Sequence, residues 1–213
     1  MKQNLGLPVC SSIRIRGGPG DEIAVRPYTP IFQNNEGEFT LLMKIYPDGV
    51  VSGWMETLEV GAKVEFAHRE ADLKLSYPFY PPGKGKRRSC ITMIAGGTGI
   101  TPMYQAMEAI LNGKDDFTEV VLLYGNHAVA DILLKDELEK MELMSEGRFT
   151  VVHVVGSRDT KSIDNWEGEV GWVDKEKVRC KHSTMVQCNK IHGLIFSFLF
   201  VSVRFFSFHL PQP

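Results

Sequence analysis

Apolar positions follow two rhythms along this chain. From about Ile13 to Phe66, short apolar runs are broken every few residues by turn formers. Ile13-Arg14-Ile15-Arg16 alternates strictly and meets Gly17-Gly18-Pro19-Gly20, which predicts a strand ending in a turn. Glu38 to Tyr46 (EFTLLMKIY) predicts a second strand, bounded by Asn34-Asn35-Glu36-Gly37 and Pro47-Asp48-Gly49. Val64-Glu65-Phe66 predicts a short third strand after a turn at Gly61. Short strands separated by regular turns point to a small antiparallel β-barrel.

Beyond Gly83-Lys84-Gly85-Lys86-Arg87-Arg88 the rhythm changes. Cys90 to Ala95 (CITMIA) is continuously apolar, as a strand buried on both faces is. A glycine turn follows, then Pro102 to Leu111 with Met103, Met107, Ile110 and Leu111 at helical spacing. Glu119 to Tyr124 predicts another strand. Asp131 to Met144 predicts a helix with Leu133, Leu134, Leu138 and Met141 as its apolar stripe, and Phe149 to Val155 predicts a third strand. Alternating strands and helices imply a doubly wound parallel sheet with right-handed crossovers. The expected architecture is an incomplete antiparallel β-barrel followed by this α/β unit, with the boundary near Pro81 to Arg88.

Composition narrows the functions little. The 213 residues are 43% hydrophobic and 23% charged, enough for one large or two small globular domains. A net charge of -2 argues against nucleic acid as a partner, since that calls for a basic stripe. The four cysteines, Cys10, Cys90, Cys180 and Cys188, share no CxxC spacing, so neither a metal site nor a disulfide framework is expected. Met1 to Ser12 holds one Lys and no apolar run of signal-peptide length, so no secretory leader is expected there.

Two motifs carry chemistry. In Arg26-Pro27-Tyr28-Thr29-Pro30 the guanidinium offers a fork for a phosphate. The neighbouring Tyr28 can lay its ring on a planar heterocycle, and Thr29 can hydrogen-bond a ring nitrogen. Gly96-Gly97-Thr98-Gly99-Ile100-Thr101-Pro102 follows an apolar strand directly and opens a helix. Glycines there admit a pyrophosphate close to the backbone, the helix N-terminus supplies unpaired N–H groups, and Pro102 suits a first turn.

In this order, roughly seventy residues apart, the motifs resemble those of the ferredoxin reductase superfamily, and most closely its NADH-cytochrome b5 reductase family, shared with the reductase part of nitrate reductases. Three further stretches agree. Leu41 to Tyr46 with Pro47-Asp48-Gly49 resembles the family's second flavin strand. Asp131-Ile132-Leu133-Leu134-Lys135-Asp136-Glu137-Leu138 is similar to the segment after its second nucleotide-domain strand, and Trp166-Glu167-Gly168-Glu169-Val170-Gly171 to the turn before its next helix. The resemblance runs from about Leu5 to Val178.

The resemblance implies an FAD-binding barrel over residues 1–82, an NAD(P)H-binding α/β domain over residues 89–178, and a non-family tail over residues 179–213. It implies that Arg26 contacts the FAD pyrophosphate and that Pro27, Tyr28 and Thr29 sit at the flavin, Thr29 as the catalytic candidate. Lys44, Ile45 and Tyr46 would line the flavin, and Ser52 would reach the pyrophosphate. Gly97, Thr98, Gly99, Thr101 and Pro102 would hold the dinucleotide, and Lys86 lies where the family has a basic loop near the NADH phosphates. The implied reaction moves electrons from NADH through FAD to cytochrome b5 or a similar haem acceptor, in the cytoplasm or on the cytosolic face of a membrane. No acid–base dyad is required, so His68, His127 and His153 are expected to have no catalytic role.

Several positions depart from the family pattern. The family has a further strand or two before Leu5-Gly6-Leu7-Pro8-Val9, and its Gly-x-His is Cys10-Ser11-Ser12 here. Its Gly-Lys-Met-Ser reads Gly49-Val50-Val51-Ser52, and Ala67-His68-Arg69-Glu70-Ala71-Asp72 replaces a Gly-Pro turn. Gly156-Ser157-Arg158 stands where the family often has a ribose-binding Asp, which implies tolerance of NADPH. After Val178 no segment ending in Cys-Gly-Pro-Pro follows. The Phe-rich stretch Ile191 to Leu210 is interrupted by His192, Arg204 and His209, so translated non-coding sequence is preferred to a membrane anchor.

Overall fold

A computed structural model of the chain describes residues 5–33, 37–68, 77–79, 90–156, 166–179 and 202–209, the last as backbone. The chain divides into two compact units: Met1–Ser76 with Phe200–Pro213, and Tyr77–Leu199. The boundary expected at Pro81 to Arg88 lies outside the described residues, as do Lys86, Ser157 and Arg158.

In the first unit, β1 (Ile13–Gly17) keeps the alternation of its sequence, with Ile13 and Ile15 buried and Arg14 and Arg16 exposed. It is the middle strand of an antiparallel sheet, between β2 (Ala24–Tyr28) and β5 (Glu65–His68). Arg16 lies opposite Glu65, and the two side chains form an exposed ion pair at 3.0 Å. A second antiparallel sheet contains β3 (Pro30–Gln33) and β4 (Glu38–Ile45). Ile13, Ile15, Phe39, Leu41 and Met43 pack into one core with Leu7, Val51 and Met55.

Two features of this unit differ from the sequence reading. Val50 to Ser52, where the sequence pattern predicts no element, open a helix, α1 (Val50–Glu56). Two β-branched residues at its start give it little intrinsic helicity. Burial of Val51, Ser52 and Met55 on one side supplies what propensity does not. The second feature lies in the tail. Ser202–His209 forms a strand, β10, antiparallel to the whole of β4, from Ser202 opposite Ile45 to His209 opposite Glu38. β4 is thus flanked on both sides, by β3 and by β10.

The second unit holds a parallel sheet in the order β6 (Cys90–Gly96), β7 (Glu119–Asn126), β8 (Phe149–Val155) and β9 (Glu169–Val170). A single turn of 3-10 helix at Gly97–Gly99 leads into α2 (Ile100–Asn112). The helix expected from Asp131 begins later, as α3 (Lys135–Met144). A separate 3-10 turn occupies Val129–Asp131, and Leu134 at φ 55 breaks helical geometry between them. Helical spacing of Leu133 and Leu134 made the two pieces look like one. Tyr124 and His153 lie opposite each other on the α3 side of the sheet. Val121 and Leu123 on the other face pack against Val178 and Val173. The sheet is therefore covered on both faces, as continuous apolar strands require.

Candidate functional site

Two groups of candidate residues form, one in each unit. In the first, Arg26 lies on β2 opposite Ile15, its side chain exposed and one Nη donating to the Val25 carbonyl at 2.9 Å. Tyr28 ends the same strand, half-buried against the core, and Thr29 links it to β3. Burial pushes the Tyr28 phenol up to about 12, against the pull of Arg26. It is therefore a neutral hydrogen-bonding group at physiological pH. Tyr46 is close enough to push the Tyr28 phenol in the same direction as burial does. Lys44 and Ile45, at the end of β4, are 4% and 5% exposed.

Ser52 does a local job. Its hydroxyl accepts the Tyr46 N–H at 3.1 Å and lies 3.5 Å from the Gly49 carbonyl, to which it donates. A Cβ on Gly49 would sit 2.2 Å from the Ser52 oxygen, so only glycine lets this turn close. The structure thus brings Tyr28, Tyr46 and Ser52 into one neighbourhood with Arg26, through two strands and the first turn of α1.

In the second unit, Gly97 adopts φ 48, which lets the chain turn sharply from β6 into α2. Thr101 donates its hydroxyl to the Thr98 carbonyl at 3.2 Å and so braces the turn. No side chain caps the start of α2, and although the Ile100 N–H is taken by the 3-10 turn, the positive end of the helix faces this turn, as an anion site requires. Gly97, Thr98, Gly99, Thr101 and Pro102 all lie in this turn or the first turn of α2. Asn126 ends β7, 5% exposed and beside the Tyr124 hydroxyl, its amide atoms short of close hydrogen bonds among the described residues. A buried amide at the carboxyl edge of a parallel sheet is where a ligand supplies the missing bonds.

Sequence reasoning missed the residues around that edge. Next to Asn126, His127 packs edge-on to Trp172, ring centroids 6.1 Å apart, and the indole is 58% exposed. His153 packs against both Tyr124 and Trp166. Asn126 was legible in principle, because the last residue of a parallel strand faces the binding edge. His127 and Trp172 are 45 positions apart, and only the fold joins them. Among the described residues no cluster of His, Cys, Asp or Glu could hold a metal.

The two units match two domain families. Residues 1–70 match the oxidoreductase FAD-binding domain, and residues 93–193 the oxidoreductase NAD-binding domain. A pairing of this kind defines a class of two-domain oxidoreductases with one domain for FAD and one for a nicotinamide dinucleotide. NADH-cytochrome b5 reductase 1 of Debaryomyces hansenii is 39% identical over 173 residues, covering 81% of this chain and 57% of the relative. The protein of the same name from Dictyostelium discoideum is 36% identical over 178 residues, covering 83% and 58%. The cytochrome b5 reductase domain of Ulva prolifera nitrate reductase superposes with a TM-score of 0.73 at 32% identity, covering 91% of this chain and 77% of that one. The chain belongs to the cytochrome b5 reductase family. It spans a little under three-fifths of the length of the curated relatives it matches.

Proposed function

We propose that this chain passes electrons from NADH through FAD to cytochrome b5 or a similar one-electron haem protein. The observation that supports it best is the pairing of the Arg26 to Thr29 strand end with the Gly97–Gly99 turn, each in the unit whose domain family uses it. The donor sets suit both cofactors. Arg26 presents an exposed guanidinium, one Nη on the Val25 carbonyl, for a pyrophosphate, and Tyr28 and Thr29 present a ring face and a hydroxyl for a flavin. The positive end of α2, the positive φ of Gly97 and the buried Asn126 amide at the strand end suit a dinucleotide. His127 and Trp172 offer an aromatic rim on which its base can stack.

Bound FAD supplies hydride acceptance and one-electron release, which no side chain here can perform. The chain's residues bind and orient. Arg26 neutralises phosphate charge, Thr29 fixes the ring through its hydroxyl, and Lys44, Ile45 and Tyr46 border it. Gly97, Thr98, Gly99 and Thr101 form the turn that would hold the second cofactor, and Pro102, which has no N–H to donate, starts the helix behind it. Ser52 acts indirectly, by fixing the Tyr46 backbone. We assign residues 1–82 to FAD, 89–178 to NADH and 179–213 to a tail outside the family pattern, although the match to the NAD-binding domain family runs on to residue 193. Tolerance of NADPH, through Ser157 and Arg158, belongs to the same proposal.

Purified full-length protein tests this reading. Flavin absorbance with NADH-driven reduction of ferricyanide, then of cytochrome b5, is the expected result. Colourless protein that gains no flavin from added FAD overturns it. Arg26→Ala should weaken FAD binding about tenfold or more, since a charge-assisted hydrogen bond contributes about 1.5–3 kcal/mol. A thousandfold kinetic preference for NADH over NADPH would remove the dual-cofactor part alone. The likeness to a nitrate reductase domain favours a second reading, as the reductase portion of a multidomain enzyme. Transcript sequence on either side of this chain distinguishes the two. Loaded protein without turnover would instead mark a non-catalytic flavin-binding fragment. We place the protein in the cytoplasm or at the cytosolic face of a membrane; among the described residues no helix is long and apolar enough to span one.

A further inference from the structure

Tyr124 is 0% exposed, in the middle of the parallel sheet, opposite Ala95 on β6 and His153 on β8. A phenol buried this fully needs partners for its oxygen. It has two. The hydroxyl donates to the Gly97 carbonyl at 3.0 Å and accepts the Leu133 N–H at 3.2 Å. These partners belong to two different connections, one from β6 into α2 and the other from β7 into α3. Both connections contain a residue at positive φ, Gly97 at 48 and Leu134 at 55. One oxygen therefore ties together two turns, adding to the backbone bonds that each turn makes within itself.

The Gly97 carbonyl matters because of what lies across the same peptide. A trans peptide is planar, with its C=O and N–H pointing in opposite directions. Holding the Gly97 carbonyl against the phenol turns the Thr98 N–H the other way. The Gly97 carbonyl also accepts the Ile100 N–H within the 3-10 turn, and the phenol adds a second hold at a glycine whose positive φ gives it a wide choice of orientations. We propose that the Tyr124 hydroxyl is a positioning group for the dinucleotide turn, fixing the Gly97–Thr98 peptide so that the Thr98 N–H faces a nucleotide phosphate. This rests on the reading of that turn as the NADH site.

The hydroxyl touches no substrate atom; it acts through the peptide it holds. Its removal should therefore weaken dinucleotide binding while leaving the flavin and the electron-transfer step alone. Tyr124→Phe keeps the ring and its packing and removes only the oxygen. Thr92→Val is the matched control. Thr92 lies on neighbouring β6, 4% exposed, and its hydroxyl has no hydrogen-bond partner among the described residues.

The test uses full-length protein carrying FAD, with NADH as the probe. Tyr124→Phe should raise the Kd and KM for NADH about tenfold, equivalent to about 1.4 kcal/mol. FAD content should equal that of the unaltered chain, and kcat at saturating NADH should stay within about twofold, the pattern of a lost binding interaction. Thr92→Val should leave all these values unchanged. Amide exchange at Leu133 should speed up in Tyr124→Phe, reporting the lost acceptor even if activity is low. An unaltered Kd for NADH in folded Tyr124→Phe overturns the proposal, as does a parallel loss of FAD, kcat and NADH affinity. If the unaltered chain itself fails to bind NADH, the dinucleotide reading falls first, and the two failures are told apart.

Discussion

At the scale of single residues, close approach and burial decide what each position tolerates. Gly18 lies at the turn after β1, and a Cβ there would stand 1.9 Å from the Glu22 carbonyl oxygen. Backbone cannot swing aside as a side chain can. Gly18→Ala should therefore destabilise the first unit by about 1–3 kcal/mol, the usual cost of overpacking, read from urea unfolding of the FAD-loaded protein. His153 is a different case. Burial lowers its pKa, with Lys135 acting in the same direction and Glu139 opposing. A histidine whose folded pKa lies below its unfolded value is bound by fewer protons in the folded state. Its contribution is complete above the unfolded value near 6.5 and is lost as pH falls from there toward the folded pKa. Stability between pH 7 and pH 5 should thus fall less steeply in His153→Gln than in the unaltered chain, by thermal unfolding across that range. Equal slopes would show that His153 does not carry this dependence.

At the scale of elements, the open question is what each strand edge meets. β4 is buried along most of its length and carries Lys44 and Ile45 at one end. β10 lies along its whole edge, opposite those two residues at Ser202 and Val203. Backbone N–H groups of an antiparallel strand alternate between facing the neighbour and facing away. Proline at two successive positions of β10 should therefore have unequal effects. Of Phe205→Pro and Phe206→Pro, one removes a ladder hydrogen bond and the other does not, so one should release FAD more readily than the other. Equal FAD retention in both would mean that the strand pairing contributes nothing. A cysteine pair at Thr40 and Ser207, which lie opposite each other, checks the register directly. It should cross-link within one chain under mild oxidation, whereas a dimeric product would mean that the strand comes from a second copy.

For the whole molecule, ligand linkage gives the clearest expectation. FAD at about one hundred times its Kd should stabilise the chain by about 2.7 kcal/mol, seen as a rise in Tm against the flavin-free protein. No rise would mean that the folded first unit does not recognise flavin. How much of this was legible from sequence follows from the range of the forces involved. Strand and helix periodicity are local, so Ile13 to Arg16, the β6 strand, the stripe of α2 and all of β8 could be read directly. The glycine turn was equally plain, because its chemistry is held within seven consecutive residues. Local patterns misled where burial overrides propensity, at α1, and where one residue in left-handed geometry splits an apolar stripe, at Leu134. Other features involve partners far apart in sequence: Tyr124 reaching Gly97 and Leu133, His127 meeting Trp172, and β10 running along β4. By itself the sequence determined the two kinds of unit, their order and the two cofactor motifs, since each is written in neighbouring residues. Tertiary structure alone decided which buried groups brace those motifs and what covers the β4 edge, because hydrogen bonds and strand pairing depend on distance in space.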